Sequence, residues 1–290
     1  LEKVLPIILL FFIGFLLKKI GVLKKEDSSV FAHLIVNLII PALLIQILST
    51  IELQFELIYF PLASMLILIA LLILGFIFAK ILRLKEKTKA AFVTAFPTIE
   101  GGTIGFAFML ATFGEIGLSR IILLDTSNII FLFLVVYPLS YSMGKGGVTI
   151  KDSIRKIFTT PIVWGMIIGF LLNVIGFENV FVSNVLSLIT GALLLMVMIL
   201  LGLEFEPKIS SFKIPIYGIF LKTAAGLALR LIACAIFGFE GVDRAAVLIW
   251  ATLPASILCL VFAKENKLDV EYTSSMLSIA LPTAIVFMVV

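Results

Sequence analysis

The chain has 290 residues, of which 62% are hydrophobic and 14% are charged, and its mean hydropathy is +1.25. This composition lies far outside the range of soluble globular proteins and indicates an integral membrane protein. The net charge of +4 does not point to a nucleic-acid partner, because the basic residues stand in short clusters between apolar runs. Clusters of that kind are expected beside membrane spans.

Ten apolar stretches are long enough to cross ~30 Å of hydrocarbon at ~1.5 Å per residue. They are residues 5–20, 33–48, 57–79, 90–113, 118–141, 158–175, 180–203, 214–237, 245–263 and 272–290. The connections after the odd-numbered spans carry 17 Lys and Arg residues, against 3 on the other side. The positive-inside rule therefore predicts a multi-pass protein of the cytoplasmic membrane, surrounded by lipid, with both termini outside.

One stretch of the sequence occurs nearly twice. Residues 6–21 read PIILLFFIGFLLKKIG and residues 161–176 read PIVWGMIIGFLLNVIG, with nine identities at an offset of 155. Five spans separate the two copies, so the second copy crosses the membrane in the opposite direction. This pattern predicts two inverted five-helix repeats, residues 1–143 and 158–290, joined by a cytoplasmic linker at 144–157. Inverted repeats are typical of secondary transporters.

The fourth and ninth spans contain residues that break helices. Span four carries Pro97, Gly101 and Gly102 at its middle, and span nine carries Pro254 at its middle, 157 residues after Pro97. Proline removes a backbone donor and glycine tolerates an unwound backbone. We therefore predict two discontinuous helices at equivalent positions of the repeats, with half-helix ends that offer amides to an anion and carbonyls to a cation.

Glu100 lies inside the span-four break. An acid in the middle of a membrane costs roughly 2.5 to 3.5 kcal/mol on insertion scales, so it needs a partner, a proton or a function. We interpret Glu100 as a group that couples transport to a proton or another cation. The alternative is a structural carboxylate that caps the broken helix.

Further polar residues in the apolar spans are candidates for the site. Asp125 and Asn128 share one face of span five, and an ion pair of Asp125 with Lys222 or Arg230 of span eight is an equally good interpretation. Asn37, which precedes Pro41, is expected to satisfy backbone groups rather than to contact substrate. The complete set of predicted binding residues is Pro97, Thr98, Glu100, Gly101, Gly102, Asp125, Asn128, Pro254, Ser256, Thr273, Ser274 and Ser275, with Asn37, Pro41, Lys222 and Arg230 as secondary positions.

The chain resembles the auxin efflux carrier family, which includes proteins labelled malate or malonate permeases. The resemblance rests on PIILLFFIGFLLKKIGVLKKED, LIVNLIIPALLI and ATLPASILCLVFAKENKLDVEYTSSMLS, and it covers the whole chain. It implies an all-α fold like that of sodium/bile-acid symporters, with ten spans and crossed broken helices. It also implies an elevator, in which spans 1, 2, 6 and 7 form a scaffold that is often dimeric and spans 3–5 and 8–10 move.

The sequence departs from this family at the span-four break. Many relatives have Asn-Thr-Gly there, whereas this chain has Thr98, Ile99, Glu100, Gly101 and Gly102. An acid at this place repels a carboxylate substrate unless it is protonated or paired, and it also makes proton coupling plausible.

We expect a secondary transporter of a small organic anion, without cofactor or metal site, coupled to H⁺ or Na⁺ or working as a uniporter. The alternatives are a cation-coupled carrier of a larger apolar solute and a membrane receptor that does not transport. An enzyme is not expected, because His33 is the one histidine and no HExxH or GxGD motif occurs.

Overall fold

The computed structural model describes residues 5–51, 54–144, 155, 158–205 and 213–289. All the regular secondary structure of these residues is helical. The α-helices whose bounds are defined are α1 (Leu5–Lys19), α2 (Ser28–Leu34), α3 (Ile40–Thr50), α4 (Tyr59–Ile81), α5 (Glu86–Ala95), α6 (Phe106–Phe131), α7 (Tyr137–Gly144), α8 (Pro161–Val174), α9 (Val180–Thr190), α10 (Leu193–Glu204), α11 (Lys213–Phe237), α12 (Gly241–Trp250), α13 (Leu258–Glu265) and α14 (Val270–Val289).

Five helical runs of the described residues are long and apolar enough to cross a membrane. They are Lys25–Thr50, Phe55–Ile81, Phe106–Gly144, Val180–Leu203 and Ile214–Phe237. Other predicted spans contain shorter helices, such as α5 in span four and α12 and α13 in span nine. The chain is therefore a helical, multi-pass membrane protein, and the number of ten spans stays a prediction.

Some predicted boundaries differ from the observed ones. Helical structure in span two begins at Lys25 with a 3₁₀ turn, earlier than residue 33, and passes through α2 and a π-helical stretch at Ile35–Ile39 into α3. Within α6 the backbone is not helical at Gly114, where φ is 66° and ψ is −155°, so this residue joins two helical segments. It lies between residues 113 and 118, where the boundary between spans four and five was predicted.

Part of the predicted organisation lies outside the described residues. The linker predicted at 144–157 is described only at Gly144 and Arg155. Among the basic residues counted for membrane orientation, the ones outside the described ranges are Lys3, Lys145, Lys151, Lys156 and Lys208.

The two copies of the repeated stretch pack in matched ways. A side chain added at Gly14 of α1 would meet the backbone of Ile199 in α10, at 2.7 Å from its carbonyl oxygen. One added at Gly169 of α8 would meet the carbonyl oxygen of Leu44 in α3, also at 2.7 Å. Gly169 is 155 residues after Gly14, and Ile199 is 155 residues after Leu44. Glycine permits both close approaches because it has no Cβ.

Turns with a left-handed backbone recur at nearly the same offset. Gly21, Arg83 and Gly114 end or interrupt helices in the first half, and Gly176, Gly238 and Lys267 do so in the second half. The first two pairs are 155 residues apart and the third is 153 apart. A positive φ is uncommon for residues other than glycine, so its occurrence at Arg83 and Lys267 marks turns that the chain geometry requires.

The helices fall into two packed groups. In one group α1 packs on α10, and α3 packs on α8 and α9. In the other, α4 contacts α6 and α11, α12 contacts α6, and α14 contacts α11 and α5. Fewer contacts join the groups, mainly those of α6 with α3 and α10. The second group contains both of the interrupted helices and so positions the candidate site.

Candidate functional site

Two helix interruptions form the centre of the candidate site. In span four, α5 ends at Ala95, and helical structure resumes as a π-helical turn at Gly101–Gly105 that leads into α6. In span nine, α12 ends at Trp250 and α13 begins at Leu258. Pro97 and Pro254 lie within these two gaps, where their missing N–H groups cannot continue an α-helix. The structure therefore has helix breaks at both predicted positions.

The two breaks contact each other through three hydrogen bonds. The amide of Glu100 donates to the carbonyl oxygen of Pro254 at 2.9 Å. The amide of Ser256 donates to the Thr98 hydroxyl at 3.2 Å, and the amide of Ile257 donates to the Glu100 carboxylate at 2.8 Å. Predicted site residues from spans four and nine are thus brought together, although they are about 160 residues apart in sequence.

An acid lies at the N-terminal end of each second half-helix. Glu100 accepts a hydrogen bond from Ile257, which directly precedes α13. Asp125 lies against Gly101, the first residue of the second half of span four. Negative charge is favoured at helix N-termini, where free amides and the helix dipole meet. The capping role that was the alternative for Glu100 is therefore observed, but the half-helix that it caps belongs to span nine rather than to span four.

A cation lies at the C-terminal end of each first half-helix, and both cations come from α11. The Lys222 ammonium group donates to the carbonyl oxygen of Thr98, just beyond the end of α5. The Arg230 guanidinium donates to the carbonyl oxygen of Leu248, in the last turn of α12. Positive charge is favoured at helix C-termini. Two acids and two bases thus complement the four half-helix ends.

Asp125 does not form the ion pair that was considered for it. Its Oδ1 accepts hydrogen bonds from the Asn128 side-chain amide at 2.8 Å and from the Trp250 indole at 3.3 Å. Among the described residues, neither Lys222 nor Arg230 pairs with it, because each is directed to the backbone carbonyl of a half-helix instead. The carboxylate is buried, with 3% of the residue exposed.

Asn128 connects Asp125 to the span-four break. Its amide nitrogen also donates to the carbonyl oxygen of Ile99 at 2.7 Å, and its own oxygen has no partner among the described residues. A buried amide oxygen without a partner is costly. Asn128 therefore holds the break in place and presents one unused acceptor beside it.

The predicted polar segment of α14 does not join the breaks. The Thr273 hydroxyl donates to the carbonyl oxygen of Asp269, and the Ser274 hydroxyl donates to that of Glu271, both within the first turns of α14. Ser275 is half-buried. Met276 and Ala280, one and two turns further along the helix, reach a cavity beside the span-nine break instead.

The secondary candidates of span two lie in a different helix pair. The Asn37 side chain donates to the carbonyl oxygen of His33 at 2.9 Å, within its own helix. The backbone of Pro41 is in close contact with Gly165 of α8.

A small cavity adjoins the span-nine break. It has a volume of about 20 Å³ and is lined by Ile219, Lys222, Thr223, Ala251, Thr252, Leu253, Pro254, Ala255, Met276 and Ala280. A cavity of that size holds about one water molecule. In the conformation described, this cavity is therefore too small for an organic substrate.

Two contact residues of the crossing were not among the predicted binding residues. Trp250 donates to Asp125, and the Cys259 thiol lies 3.1 Å from the Thr98 hydroxyl. The sequence offered one signal for Trp250, which is an indole four residues before Pro254 in an apolar span. For Cys259, which lies in an apolar run, the sequence gave no sign of its polar contact.

Comparison with known proteins agrees with a transport role. The chain is 26% identical over 280 residues, 94% of this chain and 91% of the relative, to an uncharacterized transporter of Methanothermobacter thermautotrophicus. It is 23% identical over 294 residues, with 95% and 92% covered, to an uncharacterized transporter of Methanocaldococcus jannaschii. Residues 1–290 match the family model described as a membrane transport protein, and the chain belongs to this auxin efflux carrier-like family.

Proposed function

We propose that this protein is a secondary transporter that moves a small organic anion across the cytoplasmic membrane by elevator-type alternating access. The observation that carries the proposal is the crossing of two interrupted helices, hydrogen-bonded to each other and faced by four ionisable side chains. Interrupted helices that meet inside a membrane protein are the usual site of substrate and coupling ion in such carriers.

Matched contacts in the two halves support an inverted repeat. Gly14 and Gly169 approach equivalent backbone positions, and the left-handed turns at Gly21 and Gly176 are equivalent too. A chance similarity between two apolar helices does not predict the matched glycine contacts, because it concerns the two stretches alone and not the residues that they pack against.

The division of packing contacts supports an elevator. Spans 1, 2, 6 and 7 contribute helices to one packed group, and spans 3–5 and 8–10 contribute to the other. A boundary with few contacts is where rigid-body sliding costs least, so the group that contains both breaks is the part expected to move.

The charges at the crossing favour an anion that enters together with a proton. Two acids and two bases leave the crossing neutral before substrate binds. A carboxylate substrate then adds one negative charge, which protonation of Glu100 would offset. Asp125 and Cys259 are both close enough to Glu100 to interact with its charge. Glu100 is therefore our candidate for the coupling group, with H⁺ as the ion, and no cofactor is required.

The proposal is tested by solid-supported-membrane electrophysiology on reconstituted protein. A panel of mono- and dicarboxylates is applied at two pH values to wild-type protein and to Glu100→Gln. We expect a current for at least one carboxylate that is larger at the lower pH, and we expect this pH dependence to be absent in Glu100→Gln.

Two other results would change the assignment. A carboxylate current with the same pH dependence in Glu100→Gln would leave Glu100 a structural cap of α13. No current for any carboxylate from folded protein would favour the carrier of a larger apolar solute, or a receptor that binds without flux.

A further inference from the structure

Lys222 is a buried cation without an acidic partner. Only 7% of the residue is exposed, and its ammonium group donates to the Thr98 carbonyl oxygen. No carboxylate of the described residues forms an ion pair with it. A lysine carries three donors, so one carbonyl leaves two of them without a partner. A buried charge in a membrane protein is costly unless another group compensates it.

Lys222 also lines the cavity beside the span-nine break. Thr223, Thr252, Met276 and Ala280 line the same cavity. The Thr252 hydroxyl donates to carbonyl oxygens of α12, so the Lys222 ammonium group is the charged donor of this lining, and Met276 and Ala280 are its apolar walls. A cation beside apolar walls is suited to a carboxylate attached to a small carbon skeleton.

We propose that Lys222 is the residue that receives the carboxylate of the substrate and so gives the site its preference for anions. The inference rests on the proposed function, since it names the anion-binding group of that same site. The carboxylate takes the lysine donors that the Thr98 carbonyl does not use. Because the cavity of about 20 Å³ holds only about one water, its walls separate when substrate binds.

Arg230 provides a matched comparison within the same helix. It is also 7% exposed, and it also donates to a half-helix carbonyl, that of Leu248. It does not contribute to the lining of the cavity. If Lys222 served only as a cation at a helix C-terminus, the two residues would have the same role, and their removal would have the same effect.

The test measures binding rather than transport. The thermal unfolding midpoint is recorded for four purified proteins, which are the wild type, Lys222→Met, Lys222→Arg and Arg230→Met. Each protein is titrated with acetate, malonate, malate and indole-3-acetate. The neutral amide of each acid is the control ligand. We expect Lys222→Met to weaken carboxylate binding at least about tenfold, since a charge-assisted hydrogen bond is lost. We expect Arg230→Met to lower the midpoint without ligand and to weaken carboxylate binding less than Lys222→Met does, because Arg230 does not line the cavity.

The outcomes separate this inference from the proposed function. Carboxylate binding to Lys222→Met within about threefold of wild type overturns the role of Lys222 and leaves an anion transporter. Failure of wild-type protein to bind any of the carboxylates overturns both. If Lys222→Met does not fold, Lys222→Gln is judged by the same criterion. Lys222→Arg provides a further check, because a planar guanidinium changes the order of preference among the carboxylates, and an unchanged order contradicts the inference.

Discussion

Gly101 lies in the tightest contact of the crossing. A Cβ at this position would be 2.2 Å from Oδ1 of Asp125 and 2.6 Å from its Cγ. Such separations are far below van der Waals contact, so the carboxylate or the backbone would have to move. Because Asp125 also accepts from Trp250 of span nine, a displacement at Gly101 is transmitted to the other broken helix.

We predict that Gly101→Ala destabilises the protein, by about 1 to 3 kcal/mol for an overpacked buried site. Gly102→Ala is the matched control, since its Cβ would meet its nearest neighbours at 3.7 Å, which is ordinary contact. The thermal unfolding midpoint in detergent checks both variants. Equal midpoints for the two would show that Asp125 does not require the glycine at 101.

For single residues, the sequence predicted where the helices break better than it predicted which groups the site residues contact. The breaks at Pro97 and Pro254 follow from local backbone chemistry, because a missing N–H acts wherever it occurs. The half-helix that Glu100 caps lies 157 residues away, and nothing local indicates it. The same holds for Asp125, whose amide and indole partners replace the lysine or arginine that charge alone suggested.

Among the helices, Lys18 and Asn173 have the same function at equivalent positions. The Lys18 ammonium group donates to the carbonyl oxygens of Leu203 and Phe205 at 2.6 Å each, at the C-terminal end of α10. The Asn173 amide donates to the carbonyl oxygen of Ile51 at 2.8 Å, at the end of α3. Both satisfy carbonyls that a helix end leaves free, so the change from lysine to asparagine between the copies keeps the contact and alters its charge.

We predict that Lys18→Met lowers the free energy of unfolding by about 1 to 3 kcal/mol, because two charge-assisted hydrogen bonds at a helix C-terminus are lost. Lys19→Met is the control, since Lys19 is exposed, and its effect should stay within about 0.5 kcal/mol. The unfolding midpoints of the two variants are measured in parallel, and the prediction requires a larger decrease for Lys18→Met than for Lys19→Met. A loss of similar size in both would indicate a general effect of charge at this end of α1.

That the apolar segments form helices was predictable, because in lipid the backbone N–H and C=O groups of a segment must pair with each other. Helix interruption was predictable only where proline or clustered glycine marks it. A boundary between spans four and five was predicted near Gly114, but the sequence did not show that this single residue interrupts α6, since an isolated glycine in an apolar run does not show whether its φ is positive. The shortness of α5 and α12 follows from the breaks, and it is one reason why length and hydropathy identify five spanning runs among the described residues.

For the whole molecule, the inverted repeat makes a prediction about sidedness that a parallel repeat contradicts. Val22 and Phe177 are 155 residues apart and follow the left-handed turns at Gly21 and Gly176. Val22 is 65% exposed and Phe177 is 44% exposed, so a cysteine at either place would be accessible. The native Cys234 and Cys259 are both buried and contribute little background labelling.

We predict that Phe177→Cys in intact cells reacts with a membrane-impermeant maleimide, whereas Val22→Cys reacts only after the membrane is permeabilised. The reason is that an odd number of crossings, five, separates equivalent positions and places them on opposite faces, with the lysine-rich turn after α1 in the cytoplasm. Labelling of both from outside would mean that the copies run in the same direction. The two matched glycine contacts would then belong to a parallel repeat, and the elevator mechanism would lose the symmetry on which its two access states depend.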